Sequence, residues 1–133
     1  MSEIKQNTHL LASERLVGSV ITISEKSAEV KLKITEEMSV DDFSLAHGGF
    51  VFGLADYAAM VAINEPTVVL GKAEVKFLKP VKIQEELIAK ANITDKGKGK
   101  KIVVDVRVVN SKQVVVFEGE FVCFVLENHV LQK

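Results

Sequence analysis

The chain has 133 residues, 47% apolar and 26% charged, with two prolines and a formal net charge of −1. That length predicts one domain over 1–133 with a core of about residues 14–127, and the composition excludes a disordered chain. The near-neutral charge lacks the broad basic field of a nucleic-acid binder, so no nucleic-acid partner is expected. A single cysteine, Cys123, cannot close an intrachain disulfide, and Met1 to Gln6 lacks the basic start and apolar core of a secretion signal. Together they predict a reducing, cytoplasmic setting. The longest apolar stretch, Gly48 to Ile63, carries Asp56 and falls short of the roughly 20 residues that span a bilayer, so no membrane partner is expected.

In chain order, Leu16 to Ser24 reads as a first strand, and Glu25-Lys26-Ser27 is short and polar enough to be a hairpin turn. Ala28, Val30, Leu32 and Ile34 then alternate with Glu29, Lys31, Lys33 and Thr35, the period-two pattern of a strand with one wet face. Gly48 to Ile63 is apolar all round, with Phe50, Phe52, Leu54, Ala58, Ala59, Met60 and Ile63 leaving no continuous polar stripe. Such a helix is buried on all sides. Asn64-Glu65-Pro66 closes it, because proline disfavours the helical conformation in the residue before it.

Four more strands follow: Thr67 to Leu78, Glu86 to Thr94, Lys101 to Asn110 and Val114 to Leu126, all rich in β-branched residues. Asp95 to Lys100 and Asn110 to Gln113 are tight connections, which makes the neighbouring strands antiparallel. Phe121 to Leu126 is apolar at every position and predicts cover on both faces, part of it from a second subunit. The fold class is α+β: one buried helix enclosed by an antiparallel sheet of about six strands.

The chemistry concentrates in His47-Gly48-Gly49-Phe50-Val51-Phe52-Gly53-Leu54-Ala55-Asp56. Two glycines at a helix start let a substrate approach main-chain amides, and free amides with the helix dipole attract developing negative charge. That is the chemistry of an oxyanion hole. Asp56 sits two turns further on with Phe52 and Met60 one turn away, where an unpaired carboxylate is costly. It is either a catalytic base or nucleophile made more basic by burial, or a structural aspartate satisfied by backbone or hydroxyl groups. Gly48 and Asp56 are eight residues apart. At 1.5 Å per residue that is on the order of 12 Å along one helix. They can act on one carbonyl only if a second subunit supplies one of them, as a symmetric dimer with antiparallel central helices would do twice.

The segment HGGFVFGLADYAAMVAIN, followed by AEVKFLKPVK, resembles hotdog-fold acyl-CoA thioesterases of the phenylacetate-pathway type, over about residues 14–127. The resemblance implies a long central helix wrapped by a curved sheet, homodimers that often pair into tetramers, and an acyl-CoA substrate with no cofactor. It makes Gly48 the amide that polarises the thioester carbonyl, His47 and Gly49 the residues that shape the turn, and Asp56 the base or nucleophile. Many members carry Asn six positions before the histidine, and this chain has Asp41 there. Asp41 either binds the water or, with Asp42, is a solvated loop residue; a different alignment of Ser39 to Ala46 would instead bring in Ser44.

Lys79 and Lys82 flank Pro80, and Lys96, Lys98, Lys100 and Lys101 surround two glycines. Lys79, Pro80, Lys98 and Lys100 are the candidates for binding coenzyme A, with solvated sheet-edge lysines as the alternative. His9 and His129 have no cysteine or carboxylate at ligand spacing, so no metal is assigned. Cys123 reads as a small hydrophobe, and Tyr57 as an interface residue or a hydroxyl near the site. Two other functions compete: a noncatalytic acyl-CoA sensor, and a dehydratase or hydratase. The last would pair His47 with Asp56, but nine residues place them on opposite sides of the helix.

Overall fold

In the computed structural model, which describes residues 4–97 and 99–132, six strands form one antiparallel sheet. They are β1 (Ser19–Ile23), β2 (Ser27–Lys33), β3 (Val68–Phe77), β4 (Glu86–Asp95), β5 (Lys101–Val109) and β6 (Val115–Val125). Their order across the sheet is β1-β2-β4-β5-β6-β3, so β1 and β3 are the edges. The helix α1 (Gly48–Ile63) lies across β2, β4 and β5, and the sheet curves around it.

The helix has the bounds expected from its apolar run. Its end is fixed by Asn64, whose left-handed backbone (φ 58°) turns its amide onto the Met60 carbonyl at 2.8 Å, ahead of Pro66. The first strand starts later than expected. Leu16 and Val17 belong to a helical turn, with the Val17 amide on the Ser13 carbonyl, and extended chain begins only after Gly18. Gly18 has φ +127°, and a Cβ there would lie 2.7 Å from Val30 Cγ1. The chain therefore enters the sheet through a position that only glycine fits. The first turn lies where expected, with the Ser24 amide donating to the Ser27 carbonyl.

One expectation about burial needs correction. The helix is not covered on every side: Leu54, Ala55, Ala58, Ala59 and Ala62 are buried against the sheet, while Gly49, Phe52, Gly53 and Asp56 retain exposure along one stripe. A sheet curving around a cylinder leaves one side open. The last strand is covered on one face within the chain and half-covered on the other, which leaves room for the cover expected from a second subunit. Phe121 and Cys123 are buried against the helix, whereas Val122 and Phe124 on the other face are half-buried. Phe124 owes its partial cover to Gly71 on β3, whose missing side chain leaves room for the ring.

Candidate active site

The loop that delivers the chain to α1 is held from several directions. Its β-bridges join Ser39 to Ala46 and Leu45 to Lys82, and the His47 amide donates to the Met38 carbonyl at 2.8 Å. Asp41 Oδ1 accepts the amides of Phe43 (2.9 Å) and Leu45 (3.2 Å), while Ser39 Oγ donates to the Asp41 carbonyl. Asp41 thus organises a loop whose Leu45 and Ala46 form part of a cleft, but Asp41 does not line that cleft itself. Ser44, with φ 67°, takes the Ile83 amide on its carbonyl and is likewise absent from the lining.

His47 is the N-cap residue and makes no side-chain cap. Its ring folds instead over Gly49, where a Cβ would meet His47 Nε2 at 2.8 Å, and stands edge-on to Phe50 at 5.9 Å. No side chain caps the first turn of α1: the Phe50 amide donates to the His47 carbonyl at 3.1 Å, which leaves the Gly48 and Gly49 amides with the unpaired character of a helix start. Gly48 opens onto a cleft of about 180 Å³ shared with Leu45, Val51, Phe77, Lys79 and Pro80. A helix start facing an apolar cleft is suited to a polarised carbonyl oxygen.

Two of the expected coenzyme A residues, Lys79 and Pro80, therefore lie beside Gly48. Lys100 does not. It precedes Lys101, which pairs with Phe124, while Gly48 lies against Phe77, which pairs with Phe117. Those seven residues of β6 correspond to roughly 23 Å. Lys98 lies outside the described residues.

Asp56 lies on the open stripe two turns into α1. The residue is partly exposed, yet its Oδ1 is buried and has no hydrogen-bond partner among the described residues. Burial pushes its carboxyl up to about 6. Among the described residues no backbone or hydroxyl group satisfies that oxygen. Cys123 is buried with its thiol pushed up to about 12, by desolvation first and by the Asp56 carboxylate second. Held so high it is a poor source of thiolate. Tyr57, the next residue, points elsewhere: its hydroxyl accepts from Gln6 Nε2 at 3.0 Å, tying the N-terminal segment to the helix.

Phe77 is the contributor that spacing did not reveal. It ends the edge strand 29 residues beyond Gly48, and its ring lies against the glycine, with Cε2 3.1 Å from where a Cβ would stand. The signal lay in Phe77-Leu78-Lys79-Pro80, all four of which line the cleft. Among the described residues no helix is long and apolar enough to cross a membrane, and no group of three or more His, Cys, Asp or Glu is placed to hold a metal ion.

A thioesterase superfamily model matches residues 43–117, the stretch from the cleft loop through α1 to β6. An uncharacterised Pyrococcus horikoshii protein of known structure is 57% identical, with a TM-score of 0.96, over 99% of this chain and 100% of that one. A hypothetical thioesterase protein of Streptococcus pneumoniae, solved with coenzyme A, shares the fold at 22% identity and a TM-score of 0.74, over 84% of this chain and 87% of that one. Among curated proteins, a methylthioribose-1-phosphate isomerase of Aquifex aeolicus is 51% identical over 86% of this chain but 25% of its own length. A FapR transcription factor of Shouchella clausii is 30% identical over 86% of this chain and 59% of its own. The chain thus spans between a quarter and three fifths of the length of these two curated relatives. The helix, the wrapped sheet and the matched residues together establish that this chain belongs to the thioesterase superfamily and has the hotdog fold.

Proposed function

We propose that the protein hydrolyses an acyl-CoA thioester to a free acid and coenzyme A. The observation that carries this reading is Asp56: a carboxyl raised to about 6, with a buried oxygen that has no partner among the described residues, on the helix whose first residue, Gly48, lines an apolar cleft. A carboxylate poised near neutrality is suited to act as a base, or as a nucleophile, on a thioester. The Gly48 amide receives the oxygen of the tetrahedral intermediate, and His47 and Gly49 hold the turn that presents it. Collapse of the intermediate expels the coenzyme A thiolate, and no cofactor is needed in this scheme. If Asp56 deprotonates water, the new carboxylic oxygen comes from solvent directly. If it attacks, a mixed anhydride forms and water then releases Asp56 and the acid. In a single turnover in oxygen-18 water, label left in the Asp56 carboxylate identifies the second route.

If Gly48 and Asp56 act on one carbonyl, the roughly 12 Å between them along one helix calls for a homodimer in which each site takes Gly48 from one subunit and Asp56 from the other. A pairing of two such dimers is the further expectation from the resemblance. Asp41 holds the loop beside the cleft and is the candidate for placing water. The coenzyme A found with the pneumococcal fold relative supports the substrate class. The narrower likeness to phenylacetate-pathway enzymes rests on the His47-Gly48-Gly49 to Asp56 spacing.

A second reading, a noncatalytic acyl-CoA sensor, draws support from the similarity to a transcription factor. A thiol-release screen over short, medium, long and aryl acyl-CoA esters separates the two. Release from at least one ester, abolished in Asp56→Asn, is the expected result. No release across the panel, with tight binding of one member, overturns the hydrolase in favour of the sensor.

A further inference from the structure

Phe77 closes the end of the edge strand β3 and lines the cleft with Gly48, Val51 and Val116. The three atoms nearest to a Cβ built on Gly48 all belong to this one ring, at 3.1, 3.5 and 3.7 Å. On its inner side the ring meets Phe117 edge-on at 5.0 Å. Phe117 is fully buried and is itself braced by Phe52 and Phe121, each at 6.5 Å. Phe77 remains 56% exposed. The ring therefore cannot retreat inward, where the core is close-packed, and can only swing outward.

The cleft beside it measures about 180 Å³. An enclosed apolar cavity of about 150 Å³ takes a benzene ring, so within one chain this open cleft offers apolar contact to a compact acyl group, with the Phe77 ring on its wall. Leu45, Val51, Val81 and Val116 make most of the remaining wall apolar, so acyl groups are selected there by size rather than by hydrogen bonding. We propose that Phe77 is the specificity-determining wall of the site, admitting compact acyl groups to the Gly48 amide and turning extended ones away. This rests on the acyl-CoA reading above.

The test measures binding of two unreactive thioethers, S-butyl-CoA and S-dodecyl-CoA, by titration calorimetry, so that hydrolysis plays no part. The wild-type protein should prefer the butyl compound. Phe77→Ala should move the ratio of the two affinities by about tenfold or more toward dodecyl, the scale set by a few methylenes in an apolar pocket. Phe77→Trp should move it the other way. Phe77→Leu, smaller but still able to rest on Phe117, replaces the alanine variant if that one does not fold, as judged by circular dichroism. Affinity for free coenzyme A should stay within about twofold throughout, since Phe77 is assigned to the acyl end. A ratio that is the same in wild type and variants, or a uniform loss for both thioethers and free coenzyme A, overturns the assignment of Phe77 alone. A wild-type protein that binds neither thioether overturns the acyl-CoA reading and this inference together.

Discussion

Replacing Asp56 with asparagine should damage catalysis and improve folding at neutral pH, a combination that a purely structural aspartate would not produce. Burial raises its carboxyl from 3.8 to about 6, because the charged form loses solvation in the folded state. At 1.36 kcal/mol per pH unit, that difference amounts to roughly 3 kcal/mol. Below about pH 4 the group is protonated whether folded or unfolded, and the penalty is absent. Between 3.8 and about 6 the unfolded chain ionises while the folded form stays largely protonated, so stability falls across that window, and above about 6 the folded form bears the full penalty. Wild-type stability should therefore fall by up to roughly 3 kcal/mol between pH 4 and 7, while Asp56→Asn should lack that component. Its amide still buries polar atoms, so the gain at pH 7 should be about 1 to 3 kcal/mol, or roughly 4 to 10 °C in Tm. Urea unfolding of both proteins at pH 4.5, 6 and 7.5, at one protein concentration, measures this directly. Turnover of the best acyl-CoA should drop by at least about a hundredfold, and wild-type activity should rise with pH through about 6. A variant with the wild-type pH dependence of stability would refute the burial argument, and one with near wild-type turnover would refute the catalytic one.

Gly48→Val should abolish most turnover with unchanged circular dichroism, because its side chain enters the cleft beside the Phe77 ring, which is exposed enough to give way. An active Gly48→Val enzyme would remove the proposed oxyanion hole. Asp41→Asn should keep stability within about 0.5 kcal/mol, since an amide oxygen can still accept from Phe43 and Leu45. Its turnover separates the two roles: a fall beyond about tenfold assigns the carboxylate to water, and near wild-type turnover assigns it to the loop. Co-refolding Gly48→Val with Asp56→Asn should restore about a quarter of wild-type activity, because half the dimers are mixed and each then has one unaltered site. Proven mixed dimers without activity would reject a site shared between subunits.

Much of the architecture was legible in local pattern. The alternation from Ala28 onward located β2, the glycine and asparagine turns gave hairpins, and the unbroken apolar run marked α1 to its ends. What local pattern missed was set by contacts far apart in sequence. Leu16 and Val17 have good strand composition, yet Gly18 must pass close to Val30, and that crossing delays the strand. The site was legible in the same uneven way. Gly48 and Asp56 stood out because glycines at a helix start and a lone carboxylate in an apolar helix are each locally anomalous. Phe77 is an ordinary strand residue, and only the fold brings it onto Gly48.

The open stripe of α1 explains why the helix is built as it is. Gly53 lies in the middle of α1, where glycine costs about 1 kcal/mol relative to alanine. Nothing in its own chain requires that loss, since a Cβ there would meet no atom within 4 Å. Gly49, by contrast, is explained within the chain by the His47 ring. Both glycines share the exposed side of the helix with Phe52 and Asp56, one turn apart along it. Among the described residues nothing uses the missing side chain at Gly53, and an antiparallel helix of a second copy, as in the dimer proposed above, is one that would. In the proposed dimer the residue that weakens the isolated helix and the carboxyl that is costly to bury would share one explanation: both would face the second subunit that completes the proposed site.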